Sequence, residues 1–180
     1  LAFFDLDEEV ETFFGTSIER LQNRFLTQHS YRNEAAKALL HLLERPESRR
    51  SVIALPPSGL MGGYLRVVKR STGVIVALQD EPKNILERIT FYDIDSNPIE
   101  RCLTASEKRA YLIEIKKDIA YFGKTYARAH LRVDSAGLDV EAAARRVKEA
   151  VEELTGNVAS GSDGGASEPG LQADGASRRG

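Results

Sequence analysis

The 180-residue chain is 42% hydrophobic and 29% charged, a composition typical of one globular domain, or of one domain with a tail. Its formal net charge of -2 gives no bulk attraction to nucleic acids or acidic membranes, and no apolar run approaches the ~18 residues of a membrane span. The single cysteine excludes an internal disulfide and a cysteine zinc cage, so we expect a reducing, cytoplasmic environment.

The first stretch, residues 1–6, is apolar, rich in Phe and followed by acids, which predicts a short buried strand. Asp5 and Asp7 stand at its carboxyl end, where α/β proteins often carry out their chemistry. Strand alternation would turn both carboxylates to the same side. The alternative is a structural role at the start of the following helix, as an N-cap and a first-turn acid, which would suit Asp7.

The remaining elements follow from apolar spacing and from caps and breakers. Helices are predicted over residues 8–14, 18–25, about 31–44, 61–70, 82–89, from the Thr104 capping box to about 126, and over 139–154. Further buried strands are predicted over residues 51–55, 73–78 and 130–134. Because strands alternate with helices and the central strands are wholly apolar, we predict an α/β fold with a mainly parallel sheet flanked by helices.

Two segments stand apart from this pattern. Residues 91–104 form a polar stretch with the length of a lid. After residue 155 the composition collapses to Gly, Ala, Ser and Asp, which cannot bury enough apolar surface to order a chain. We therefore expect an ordered domain over 1–155 and a disordered tail over 156–180.

The order of these parts resembles the shikimate kinase family over roughly residues 3–154. The matching pieces are Phe4-Asp5-Leu6-Asp7, Tyr31-Arg32, Val52-Ile53-Ala54 with its tight turn, Val74 to Leu78, Leu86-Glu87-Arg88 and Val133-Asp134. The resemblance implies a fold of the P-loop nucleoside-monophosphate-kinase type. It also implies transfer of the γ-phosphoryl group of ATP to the 3-hydroxyl of shikimate, with Mg²⁺ as the metal.

The resemblance assigns three residues to the acceptor and the metal. Asp7 would hold the shikimate hydroxyls and orient the attacking one, so it is the predicted catalytic residue. Asp5 would stand near the magnesium ion through a water molecule. Arg32 would clamp the shikimate carboxylate, which suits the planar fork of a guanidinium. The alternative for Arg32 is a solvated side chain paired with Glu34 or a neighbouring acid.

Four further positions are carried over from the family. Ser58 and Gly59, in the turn after the second strand, are predicted to contact the substrate. Arg88 would lie on the adenine side of ATP. The alternative for Arg88 is an ordinary residue on the surface of a helix. Arg101 is a loose substitute for the arginine of the family's lid, and it completes the predicted nucleotide contacts.

The chain also departs from the family pattern. No G-x-x-x-x-G-K-[ST] loop occurs in the 180 residues, and the chain begins with Leu1, so we expect a fragment or an N-terminally truncated member. Pro56-Pro57-Ser58 replaces a Gly-Gly-Gly turn, and Phe122 replaces a second carboxylate-binding arginine. Without the phosphate loop, the triphosphate has no binding site. We therefore expect this chain to be inactive by itself.

Two functions remain open at this point. The first is a cytoplasmic, monomeric phosphotransferase of aromatic amino acid biosynthesis, provided that an upstream P-loop exists in the full protein. It would act on shikimate or a related small hydroxy acid, with no nucleic acid or membrane as partner. The second is a non-catalytic domain that keeps the kinase fold for ligand sensing or protein interaction.

Overall fold

The computed structural model describes residues 1–160, with side chains for residues 1–156. Its helices are α1 (Leu6–Phe14), α2 (Ile18–Gln22), α3 (Gln28–Glu44), α4 (Gly62–Val68), α5 (Pro82–Glu87), α6 (Ala105–Tyr126) and α7 (Val140–Ser160). Its strands are β1 (Ala2–Asp5), β2 (Ser51–Ala54), β3 (Val76–Gln79), β4 (Phe91–Tyr92), β5 (Pro98–Ile99) and β6 (Leu131–Asp134). A 3-10 helix, Pro46–Arg50, connects α3 to β2. The order of elements confirms the predicted α/β class.

The strands form two parallel pairs and one antiparallel hairpin. β1 pairs with β2 from Ala2↔Ser51 to Asp5↔Ala54, and β3 pairs with β6 from Val76↔Leu131 to Gln79↔Asp134. β4 and β5 form the antiparallel hairpin. Within residues 1–160 no strand is hydrogen-bonded to both parallel pairs. The mainly parallel arrangement is confirmed, and β1 runs directly into α1 without a loop.

The core lies among the helices rather than across the strands. Its buried side chains come from α1 to α4, with Leu60 just before α4, and they are Leu6, Val10, Leu21, Tyr31, Ala35, Ala36, Ala38, Leu39, Leu60, Tyr64 and Val68. The strands are less buried than predicted, since Phe3, Val52 and Leu78 are 66%, 51% and 57% exposed. The expectation of fully buried strands is wrong for these residues, because no element within the described part of the chain covers their side chains.

The apolar residues that recur at helical spacing along the long helices are also only partly buried. Ile115 of α6 is buried, but Ile119 of the same helix, Leu40 of α3 and Val140 of α7 are exposed. Apolar spacing reports which face of a helix can be buried, whereas burial requires a neighbouring element. These three residues face no such element within residues 1–156.

α3 and α4 pack closely because α4 begins with glycine. A Cβ atom on Gly63 would lie 2.7 Å from the carbonyl oxygen of Arg32 and 2.8 Å from the Cα of Asn33. Any larger residue would push the two helices apart. Gly62 and Gly63 lower the helix propensity of α4. The missing side chain of Gly63, however, permits the close contact with Arg32 and Asn33 in the first turns of α3.

The predicted lid loop, 91–104, contains the β4–β5 hairpin, whose strands of two residues give no clear sequence signal. The tip of the hairpin docks on the segment around α2. The Ser17 hydroxyl donates a hydrogen bond to the carbonyl oxygen of Ile94 at 2.6 Å. Arg20 and Asp95 form an ion pair at 2.7 Å. The lid segment is thus held against α2, and its Ser96 hydroxyl also donates to the Glu11 carboxylate of α1, the helix that carries Asp7.

The C-terminal part follows the prediction more closely. α6 begins with the predicted capping box, in which the Glu107 carboxylate accepts the backbone N–H of Thr104 at 2.8 Å. α7 runs on to Ser160, so the first residues of the predicted tail are helical; residues 161–180 lie outside the described part. Among the described helices, none is both long enough and apolar enough to cross a membrane.

Candidate active site

A cleft of about 440 Å³ opens between α3, the turn after β2 and the face of α6. It is lined by Asp7, Ile18, Gln22, Gln28, Tyr31, Arg32, Pro56, Pro57, Ser58, Asp118, Tyr121 and Phe122. We call this the acceptor cleft. It brings together three of the residues predicted for substrate binding, Asp7, Arg32 and Ser58, which are separated by up to 51 positions along the chain (58 - 7 = 51).

The end of β1 places Asp7 in the acceptor cleft. β1 stops at Asp5, whose Oδ1 accepts the backbone N–H of Asp7 at 2.8 Å and so caps α1. Asp7 is therefore the second residue of the helix, and the predicted strand alternation of the two carboxylates is wrong. The structural alternative applies to Asp5 as the N-cap, because a free N–H at a helix start competes successfully for a nearby carboxylate.

The surroundings of Asp7 shift its acidity. Its side chain is reached by solvent from the cleft, but protein atoms crowd it closely. This desolvation raises the pKa of the Asp7 carboxyl to about 6, and the carboxylates of Asp5, Glu11 and Glu19 add to the rise. All three neighbours carry the same charge, so each disfavours a further negative charge. At neutral pH, Asp7 is ionised yet more basic than an ordinary aspartate.

Arg32 lies in the second turn of α3, and no residue that the structure describes forms an ion pair or a side-chain hydrogen bond with it. Its Nε is buried without a hydrogen bond, and no ion pair of its guanidinium exists within the described residues. The predicted alternative partner, Glu34, instead pairs with Lys37 at 2.6 Å. Buried polar atoms in proteins are normally hydrogen-bonded, so an unpartnered guanidinium on the wall of a cleft is suited to an anionic ligand.

The turn after β2 brings Ser58 to the cleft and is held from two sides. Within the turn, the N–H of Gly59 donates to the carbonyl oxygen of Pro56 at 2.7 Å. From α6, the Tyr126 hydroxyl donates to the carbonyl oxygen of Pro57 at 3.3 Å. Gly59 does not line the cleft; a Cβ there would lie 2.7 Å from the Cβ of Leu55. Its role in this structure is close packing.

α6 supplies a wall that the sequence analysis did not anticipate. Asp118, Tyr121 and Phe122 occupy one face of the helix and line the cleft. Of these three residues, the sequence singles out only Phe122, as the replacement for a carboxylate-binding arginine. The available signal was spacing, since Asp118 and Phe122 are four residues apart and Phe122 stands where the family has an arginine.

The two arginines predicted to bind nucleotide lie away from the cleft and are engaged with protein groups. Arg88 pairs with Asp80 at 2.8 Å and donates to the carbonyl oxygen of Leu138 at 2.9 Å. Arg101 pairs with Glu107 at 2.8 Å, and its guanidinium lies over the rings of Phe91 and Tyr111, 5.3 and 6.0 Å from their centroids. Their assignment to ATP stays a prediction.

The predicted metal residue, Asp5, has one carboxylate oxygen in the N-cap of α1. Among the described residues there is no group of three or more His, Cys, Asp or Glu side chains that could hold a metal ion. Magnesium, however, commonly keeps several waters and substrate phosphate oxygens and takes only one or two protein carboxylates. The free oxygen of Asp5 is compatible with that kind of site.

Comparisons with known proteins bear on the family and the fold of the chain. The family model described as shikimate kinase matches residues 1–153. The crystal structure of shikimate kinase from Bacteroides thetaiotaomicron aligns with a TM-score of 0.64 and 18% identity, covering 87% of this chain and 83% of that chain. Shikimate kinase from Aquifex aeolicus vf5 aligns with a TM-score of 0.58 and 26% identity, covering 88% and 83%. No curated protein sequence matches. The predicted resemblance is confirmed.

Proposed function

Because the chain belongs to the shikimate kinase family, we propose that the acceptor cleft is the acceptor site of a shikimate-kinase-like phosphotransferase. The acceptor is shikimate or a related hydroxy acid, and its 3-hydroxyl receives the γ-phosphoryl group of ATP. The observation that carries this proposal is that Asp7, Arg32 and Ser58 line one cleft while Arg32 has no protein partner.

Each of these residues has a role that follows from its surroundings. Arg32 binds the carboxylate of the acceptor through charge-assisted hydrogen bonds. Asp7 accepts a hydrogen bond from the attacking hydroxyl, and its pKa of about 6 makes it a stronger proton acceptor than an ordinary aspartate. Ser58 offers a hydroxyl that donates or accepts at a third point. Three such contacts would orient the acceptor for attack.

ATP and Mg²⁺ are the proposed cofactors. When bound, the metal ion neutralises charge on the transferred phosphoryl group. Asp5 would hold a magnesium-bound water through the oxygen that does not cap α1. Gly59 is retained as a proposed neighbour of the acceptor through its backbone. Arg88 and Arg101 are retained as proposed nucleotide contacts, and each must exchange its present ion pair for a phosphate or base contact.

Phosphoryl transfer also needs a phosphate-binding loop. None of the 180 residues forms a G-x-x-x-x-G-K-[ST] motif, so this chain lacks a cradle for the triphosphate. We therefore propose that these residues bind the acceptor but do not transfer phosphate by themselves. The proposed setting is a cytoplasmic monomer with small-molecule partners, supported by the small net charge of -2 and by the single, unpaired cysteine.

Isothermal titration with shikimate tests acceptor binding. Arg32→Ala should weaken binding by about 1.5–3 kcal/mol, the usual contribution of hydrogen bonds to a charged group. Arg109→Ala is the matched control, because Arg109 is an exposed arginine of α6 outside the cleft, and this variant should bind as the wild type does. Equal affinities of the wild type and Arg32→Ala would remove Arg32 from the site.

Phosphoryl transfer is tested on the gene product at its full encoded length, with ATP, Mg²⁺ and shikimate. We expect transfer that Asp7→Asn reduces by about two orders of magnitude, the contribution of a positioned general base. Turnover that survives this substitution would exclude Asp7 from catalysis. Shikimate binding with no transfer by the encoded product would instead support the ligand-sensing alternative.

A further inference from the structure

The fixed charges of the acceptor cleft do not balance. Arg32 supplies its only guanidinium, whereas Asp7 and Asp118 both supply carboxylates. Neither Arg32 nor Asp118 forms an ion pair or a side-chain hydrogen bond within the described residues. A ligand with a single carboxylate would satisfy Arg32 but leave Asp118 without a counter-charge. Asp118 is exposed, so water solvates its charge in the cleft, and a cationic group of a ligand could replace that water with a charge-assisted contact.

Two aromatic rings line the cleft on the same helix as Asp118. Tyr121 and Phe122, on the same face of α6, form an edge-to-face pair with ring centroids 5.0 Å apart and an interplanar angle of 76°. Tyr121 is 57% exposed and so presents its ring to a ligand. A carboxylate beside open aromatic rings attracts an ammonium group through both charge and the ring quadrupole.

The identity of residue 122 also favours a cationic ligand group at this wall of the cleft. Phe122 occupies the position at which the family pattern has a second arginine for the acceptor carboxylate. Among the described residues, the α6 wall of the cleft contributes the carboxylate of Asp118 and no cationic side chain. This wall is therefore better suited to a cationic group than to a second carboxylate.

We propose that the acceptor of this cleft is a zwitterion, a hydroxy acid that also carries an ammonium group. Its carboxylate binds Arg32, and its ammonium group binds Asp118 beside the rings of Tyr121 and Phe122. The proposal rests on the proposed function, since it names the substrate class of the same site. It assigns Asp118 as the residue that selects an amino-substituted acceptor over an all-hydroxyl one.

Calorimetric titration with matched ligands tests the proposal. The probes are shikimate and the two analogues in which a ring hydroxyl other than the acceptor is replaced by an amino group. At neutral pH we expect at least one amino analogue to bind the wild type about tenfold or more tightly than shikimate, since a charge-assisted bond is gained. Asp118→Asn keeps the shape of the side chain and should abolish that preference without weakening shikimate.

Glu114→Gln is the control variant. Glu114 lies one helical turn before Asp118 on α6 and pairs with Lys117 at 2.7 Å, outside the cleft. It removes the same charge from the same helix and should leave the preference unchanged, which separates a direct contact from a general change in the field. A loss of preference in both variants would overturn the assignment of Asp118.

The outcomes distinguish this proposal from the proposed function. Shikimate binding that is as tight as that of both amino analogues would overturn the zwitterion but leave the acceptor site in place. Absence of binding for all three ligands would overturn the proposed function itself. If Asp118→Asn weakened shikimate and the analogues equally, Asp118 would act on Arg32 or on the fold, and the proposed ammonium contact would be wrong.

Discussion

The charged residues of the acceptor cleft differ from those around β3, α5 and the lid hairpin. In the cleft, Arg32 and Asp118 form no ion pair or side-chain hydrogen bond with any residue in the described part of the chain. In the second region, Arg88 pairs with Asp80 and Arg101 pairs with Glu107, each at 2.8 Å. A buried polar atom without a partner, such as Arg32 Nε, lowers stability unless a ligand completes it, whereas a charge paired within the protein needs no ligand. The difference separates residues suited to binding from residues that hold elements together.

Asp80 is an example of a charged residue whose partners lie within the protein. Its side chain is only 8% exposed and accepts hydrogen bonds from the Asn84 side chain at 2.7 Å and from the backbone N–H of Glu81 at 2.7 Å, besides its ion pair with Arg88. These contacts, with the Asn84 bond as the largest cause, lower the pKa of Asp80. An arginine that completes such a network is less free to serve a nucleotide than one with no partner.

The largest expected effect concerns the helix contact that positions Arg32. Gly63→Ala would place a Cβ atom 2.7 Å from the Arg32 carbonyl oxygen, and the backbone there cannot yield cheaply. We expect a loss of about 3 kcal/mol in the free energy of unfolding, measured by denaturant titration. Gly123→Ala is the control, because its Cβ meets nothing within 4 Å in the middle of α6, and it should stabilise by about 0.5–1 kcal/mol. Equal effects would show that α3 and α4 are not in close contact.

The next effect tests the paired region. Asp80→Ala should lower the free energy of unfolding by about 2 kcal/mol, because a charged acceptor with several donors is removed and Arg88 loses its partner. Shikimate affinity, measured by calorimetry, should stay unchanged. A fall in affinity with intact stability would contradict the separation of the two regions and would connect Asp80 to the acceptor cleft.

Local signals explain what could be predicted from sequence. α6 was predicted closely because Thr104 and Glu107 form a capping box and because a long helix averages over many residues. The meeting of Asp7, Arg32 and Ser58 followed from collinear family motifs. Motifs of this kind identify where each residue lies in a known fold. A prediction that residues lie close together can therefore be correct even when the local conformation of one of them is predicted wrongly.

Other features depend on contacts that leave no local trace. Asp5 caps a helix because β1 ends one residue earlier than its apolar pattern suggests, which alternation alone cannot reveal. Asp118 looks like a solvated residue of an amphipathic helix, and only the turn after β2 makes it part of a cleft. The partners of Arg88 and Arg101 likewise come from tertiary structure, so sequence could not separate a paired arginine from a free one.

A smaller effect is expected from the raised pKa of Asp7, a charged residue of the acceptor cleft. Its pKa is raised from an ordinary value of 3.8 to about 6, so the ionised form is disfavoured in the folded state. The associated stability is fully present below pH 3.8 and is lost as the pH rises through about 6. Asp7→Asn should therefore stabilise the protein at neutral pH by about 1 kcal/mol, after allowance for screening of this solvent-accessible carboxyl.

Unfolding measured across this pH range gives the check. The stability difference between Asp7→Asn and the wild type should shrink toward zero as the pH falls below 3.8, where the wild-type carboxyl becomes protonated in both the folded and the unfolded state. Asp5→Asn is unsuitable as a control because it alters the N-cap, so Glu8→Gln, an exposed acid of the same turn, takes that place. A pH-independent difference would contradict a raised pKa at Asp7.

The smallest expected effect is at the docked lid hairpin. Arg20 and Asp95 are about half exposed, and exposed ion pairs contribute little because solvent screens them and ordering two side chains costs entropy. Arg20→Ala should leave the free energy of unfolding unchanged within error. Hydrogen exchange of the Asp95 amide is the sensitive readout, because loss of the ion pair removes one of the contacts that dock the hairpin on α2. Faster exchange there, with unchanged exchange in α6, is expected. A large loss of global stability would instead place this pair among the structural pairs around Asp80.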